Sequence, residues 1–110
     1  WQKARQLATS VYELTRKTTF ARDFGLSSQI QRASVSIMSN IAEGFERHRR
    51  TEFHQFLLVA KASCAEVRSL LYVARDIDYI NDSEFDDSMN LATEVSRITG
   101  ALRASVAKKS

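Results

Sequence analysis

The sequence predicts an all-α chain, an antiparallel up-down-up-down four-helix bundle, on three observations. It holds no Pro and only Gly25, Gly44 and Gly100, so helix-forming residues run with little interruption. Apolar residues recur at three- and four-residue spacing through four long segments. The connections between those segments are short, which makes successive helices antiparallel neighbours. With 110 residues and 44% hydrophobic content, the chain suits one four-helix-bundle domain spanning 1–110.

The first helix is expected from about Gln2 to Thr18. It buries Ala4, Leu7, Ala8, Val11, Leu14 and Thr15, turns Lys3, Arg5, Glu13, Arg16 and Lys17 outward, and has Trp1 near its start. Thr19 to Ser27 reads as a connection carrying Gly25 and two anchoring aromatics, Phe20 and Phe24. A second helix follows from Ser28 to about Glu46. Its apolar row is Ile30, Ala33, Ile37, Ile41 and Phe45, beside a wholly polar row of Gln29, Arg32, Ser36, Asn40, Glu43 and Arg47.

The third helix carries the clearest signal. Phe53, Leu57, Ala60, Cys64, Val67, Leu71 and Ala74 alternate spacings of four and three, the seam of helices packed at a shallow angle. A flanking strip of Phe56, Val59, Leu70, Val73 and Ile77 widens the apolar face beyond one neighbour, so Phe56, Val59, Leu70 and Val73 are assigned to an interface with another subunit. The fourth helix starts at a capping box of Asn81 and Glu84, with Ile80 positioned to staple onto Phe85. Leu91, Val95, Ile98, Leu102 and Val106 then carry its buried face.

Catalytic and metal chemistry find no support in these residues. A di-metal bundle needs Glu-x-x-His motifs, and neither His48 nor His54 follows a Glu by three; both read as surface residues, and neither metal nor cofactor is expected. Cys64 lies on the apolar seam, where a thiol behaves as a small hydrophobe rather than a nucleophile, so the chain reads as a non-enzyme. Asn40, Glu43 and Glu66 read as an internal hydrogen-bond network or a helix-end anchor in preference to an acid/base site. Gly44 permits close packing or a left-handed exit, while Glu43 with Arg47 and Glu46 with Arg50 form ordinary helical ion pairs. One cysteine excludes an internal disulfide framework, no apolar run reaches the roughly 18 residues of a membrane span, and a cytoplasmic location is expected.

Several stretches support a resemblance. The opening Trp1-Gln2-Lys3-Ala4, the run from Ser28-Gln29-Ile30-Gln31-Arg32-Ala33 through Ser39-Asn40-Ile41-Ala42-Glu43-Gly44-Phe45, the Glu52-Phe53 and Phe56-Leu57 pairs, and Ala65-Glu66 resemble a bacterial four-helix-bundle family. It is named after proteins encoded in intervening sequences of 23S ribosomal RNA genes. The resemblance spans essentially the whole chain, and the family looks related to the accessory protein of diversity-generating retroelements. It implies a ring-like homopentamer with basic surface and affinity for nucleic acid. This chain departs from the family pattern at Met38, where Pro is usual, and near Arg49, where a Ser cap is usual. A straighter second helix and a cap from Thr51 are the expected consequences.

Charge is distributed unevenly. Residues 1–50 carry nine basic and four acidic side chains, 51–75 three and two, 76–94 none and seven, and 95–110 four and none. The bundle topology gathers Lys3, Arg5, Arg47, Arg49, Arg50, Arg103, Lys108 and Lys109 at one end as a nucleic-acid-binding cluster, with Asp76, Asp78, Asp82, Glu84, Asp86 and Asp87 at the other. Repeated around a ring, that basic end binds RNA or DNA backbone without strong sequence preference. Two competing uses are an oligomeric scaffold for an acidic protein partner and a solvated surface with no ligand.

Overall fold

A computed structural model describes residues 1–108. Among them five helices follow in order: α1 (Gln2–Leu14), α2 (Thr18–Arg22), α3 (Phe24–Glu46), α4 (Arg50–Asp76) and α5 (Asp82–Lys108). α1 packs on α3 and α5, and α4 packs on the same two, with α3 against α4 the most extensive pair. The result is an antiparallel four-helix rod of about 47 × 21 × 19 Å, to which α2 adds one short turn.

The seam of α4 is its core. Leu57, Ala60, Cys64, Val67, Leu71 and Ala74 are all fully buried, meeting Ile30, Ala33, Ile37 and Ile41 of α3 and Ala4, Leu7, Val11 and Leu14 of α1. On α5 the innermost positions are Phe85, Ser88, Ala92, Val95 and Thr99, while the larger Leu91, Leu102 and Val106 pack at the margin. Small and hydroxylated residues occupy this face because helices there approach closely. Ser10 and Ser88 hydroxyls pair at 2.9 Å between α1 and α5, and Ser36 with Ser63 at 2.9 Å between α3 and α4.

The first connection differs from expectation. α1 stops at Leu14, not Thr18, because Lys17 is extended and the Thr15 hydroxyl, donating to the Tyr12 carbonyl, accepts from Gln31 of α3. The segment expected as a connection is itself helical: α2 lies within it, and α3 starts four residues before Ser28, capped by the Asp23 carboxylate, which accepts from the Leu26 amide at 3.0 Å. Phe20 anchors as expected, fully buried against the Tyr79 ring. Phe24 does not; placed at the first position of α3, it is turned off the core face and is 81% exposed.

The other end of the rod is also specific. Gly44 is buried, and a β-carbon there would stand 2.9 Å from Phe53 and 3.2 Å from Phe56, so the glycine serves close packing rather than a left-handed exit. Phe45, expected in the core row, is 60% exposed and tilts against Phe53. Thr51 does not cap α4; the extended Arg49 begins the helix through its carbonyl, with no side-chain cap. Across the rod, Asp78 adopts a left-handed φ of 64° in a Schellman turn, closed by the Tyr79 amide on the Ala74 carbonyl.

The capping box of α5 forms as expected. Asn81 Oδ1 accepts from the Glu84 amide at 2.8 Å, and Glu84 Oε1 accepts from the Asn81 amide at 2.9 Å. Lys17 Nζ reaches the same oxygen at 2.6 Å and, with the Asn81 amide, holds the Glu84 carboxyl below the usual carboxylate range. A depressed folded-state pKa adds stability above the ordinary glutamate range, and that stability fades as pH falls through the folded value. Glu84→Gln is therefore expected to lower thermal stability at pH 7 and to match the parent near pH 3. Melting curves at both pH values check this, and an equal loss at pH 3 would assign the effect to packing instead.

Candidate nucleic-acid interface

The chain reverses between α3 and α4 through Arg47, His48 and Arg49, both arginines extended and all three exposed at the tip of the rod. Arg49 and Arg50 make no ion pair among the described residues. Arg47 is occupied: its guanidinium bonds Glu43 at 3.1 Å, lies 3.9 Å from Glu52 and sits 4.9 Å above the Phe56 ring. The expected Glu43–Arg47 pair thus forms, whereas Glu46 and Arg50 form none, because Arg50 opens the next helix.

α5 returns to the same tip. Arg50, Thr51, His54 and Gln55 of α4 face Val106 and Ala107 across a cleft of about 260 Å³, and His54, Gly100, Arg103, Ala104 and Ala107 line a second of about 250 Å³. Arg49, Arg50 and Arg103 therefore gather at one end, joined by His54, which is half-buried rather than a surface residue. The side chain of Lys108 and the whole of Lys109 lie outside the described residues. Lys3 and Arg5 do not join the cluster. Lys3 pairs with Glu94 at 3.7 Å, roughly 20 Å of helix below the end of α5, and Arg5 lies 5.9 Å over the Trp1 ring on the outer side of α1.

The opposite end carries the expected acids but is not purely acidic. Lys17 is bridged to Glu84, Arg75 lies 3.7 Å from Asp76, and Arg16 and Arg22 are exposed beside them on the α1–α2 side. A tally by sequence segment separates these cations from the acids that the fold places next to them.

Most of the cationic surface that sequence reading missed runs along the side of the rod. His54, Lys61, Arg68 and Arg75 recur every seven residues on α4, all partly buried. They border α5: His54 meets Gly100 and Arg103, Lys61 Nζ approaches the Ser96 carbonyl and hydroxyl at 3.4 Å, and Arg75 lies 4.1 Å over the Phe85 ring. Seven-residue spacing places residues in one row beside a seam, so the register of the seam already contains this stripe.

Asn40, Glu43 and Glu66 do not join in the expected internal network: Glu43 and Glu66 are exposed and pair separately, with Arg47 and Gln29. Asn40 donates to the Ser36 carbonyl and hydroxyl at 2.8 and 3.0 Å, and Gln29 donates to Glu66 at 3.0 Å. Cys64 donates to the Ala92 carbonyl at 3.0 Å, and burial pushes its thiol above the ordinary range, unsuited to nucleophilic attack.

Of the residues assigned to a subunit interface, Val59 and Val73 are exposed, at 47% and 43%, on the outer face of α4. Leu70 packs against the core and Phe56 against Gly44 and Arg47, so both are partly used within the chain.

Residues 1–101 match the family model of the 23S rRNA-intervening sequence protein. The chain belongs to that family. The solved structure of a protein of unknown function from the S23 ribosomal protein family of Bacteroides thetaiotaomicron superposes with a TM-score of 0.87. The two are 23% identical, over 93% of this chain and 95% of that one, a likeness that shows the shared fold. No curated protein matches. Among the described residues of this 23S rRNA-intervening sequence family member, no helix is long and apolar enough to cross a membrane.

Proposed function

We propose that this protein is a non-catalytic, cytoplasmic bundle that assembles into a homo-oligomeric ring and binds the phosphate backbone of RNA or DNA without strong sequence preference. The observation that carries this reading is the exposed tip, where Arg49 and Arg50 lack carboxylate partners among the described residues and Arg103 lines a cleft next to that of Arg50, the two clefts having His54 and Ala107 in common. Clustered guanidinium groups suit phosphate oxygens, and a ring multiplies weak contacts through high local concentration. A subunit number of five rests on the family resemblance. Lys108 and Lys109 follow Ala107 in the sequence.

Exchanging Arg47, Arg49 and Arg50 together for Gln tests the reading. The variant should stay folded, weaken binding alike across sequences, and flatten the dependence of log affinity on log salt, chiefly through Arg49 and Arg50 because Arg47 is held by Glu43 and Glu52. Affinity equal to the parent's would remove the basic end from the interface.

A scaffold role is the second reading, favoured by the outer face of α4, where Leu58, Val59, Tyr72 and Val73 are each more than 40% exposed. An acidic protein partner then replaces nucleic acid at the basic end.

A further inference from the structure

We infer that the groove between α4 and α5 is a second phosphate-binding track, taking a single nucleic-acid strand along the side of the rod; this rests on the nucleic-acid reading above. The track is formed by His54, Lys61, Arg68 and Arg75 of α4 with Arg103 of α5. Its α5 wall between His54 and Lys61 is Ser96, Gly100 and Arg103, which holds no carboxylate; Lys61 Nζ meets only the Ser96 carbonyl and hydroxyl there, at 3.4 Å.

Two features bear on this stripe. His54, Lys61, Arg68 and Arg103 make no ion pair with any carboxylate among the described residues, while Arg75 at its far end lies 3.7 Å from Asp76. The Nε atoms of Arg68 and Arg103 are also buried without a hydrogen-bond partner. A buried guanidinium donor left unpaired is costly, so both side chains gain if their guanidinium groups swing outward onto an anion in the groove.

Spacing fixes the class of ligand. Seven residues of helix advance about 10.5 Å, so His54 to Arg68 spans roughly 21 Å. A stacked strand rises about 3.4 Å per nucleotide, so about six nucleotides cover that distance and every third phosphate meets a side chain of the stripe. Tyr72, 48% exposed beside Arg75, adds an aromatic surface for a base at the far end, which favours an unpaired strand over a duplex.

The test measures binding of a labelled twelve-nucleotide oligouridylate by fluorescence anisotropy at two salt concentrations. The parent is compared with K61M/R68M, which keeps the apolar stems and leaves Arg103 of the tip in place, and with R49Q/R50Q at the tip. Circular dichroism and light scattering monitor folding and assembly. The groove variant is expected to bind about tenfold more weakly, with the log–log salt slope reduced by about 1.4 for two lost contacts. If the double variant loses helicity, Lys61→Met alone carries the test, with a loss of about threefold.

A parent that binds while the groove variants bind equally well overturns the track and leaves the tip reading standing. A groove variant changed in assembly size but not in binding also overturns it, and gives the groove to a second copy of the chain. A parent that does not bind at either salt concentration overturns both readings.

Discussion

Leu71→Ala should destabilise the folded subunit by about 3 kcal/mol and lower its melting temperature by roughly 10–20 °C. Leu71 is fully buried toward the C-terminal end of the α4 seam, in the cluster that joins α4 to α3 and α5. Truncation removes apolar burial and leaves a void that rigid neighbouring helices cannot close completely. Domains of this size hold about 5–15 kcal/mol in total, so one such change consumes a large share. Urea titration followed by circular dichroism checks it, and a loss under 1 kcal/mol would mean that α4 is not the centre of the bundle.

Val59→Lys with Val73→Lys should release subunits from the assembly while leaving helix content and melting temperature nearly unchanged. Both valines lie on the outer face of α4 and contribute little to the subunit core. Two buried charges facing an apolar neighbour are costly, whereas two charges facing water cost almost nothing. Leu70→Lys is the contrasting case, because Leu70 packs against the core and a charge there should unfold the subunit first. Light scattering on the double variant reads the outcome. An unchanged mass would place the subunit contact elsewhere, and a monomeric parent would remove the oligomer altogether.

The parts of the fold that were legible in the sequence are those where one physical signal dominates. The α4 seam from Leu57 to Ala74 was readable because its apolar period is strict, and the start of α5 because Asn81 and Glu84 form a local, reciprocal motif. The boundary between α1 and α3 was not readable. Its break depends on a tertiary contact, Gln31 to Thr15, and on an Asp23 cap flanked by aromatics that look like core residues. Phe24 and Phe45 show the same limit: hydrophobicity marks them for burial, but the cap at Asp23 and the tight packing at Gly44 turn them outward.

The candidate site divides in a similar way. Arg49, Arg50 and Arg103 come together because helix direction alone brings the α3–α4 turn beside the end of α5. Lys3 and Arg5 stay apart because Lys3 pairs with Glu94 and Arg5 lies over the Trp1 ring, placements that composition does not report. The lateral stripe escaped notice because a count of charges by segment averages over helix faces. Asking which cations share the seven-residue period of the seam would have found it.

Capture of nucleic-acid backbone by the assembled protein is tested most directly by its affinity for an arbitrary single-stranded oligonucleotide between 50 and 200 mM salt. Binding should fall steeply and linearly on log–log axes, with a slope of about −0.7 for each phosphate contacted, and the fall should be the same for unrelated sequences. Absence of binding at 50 mM, or an affinity that does not respond to salt, would contradict the account.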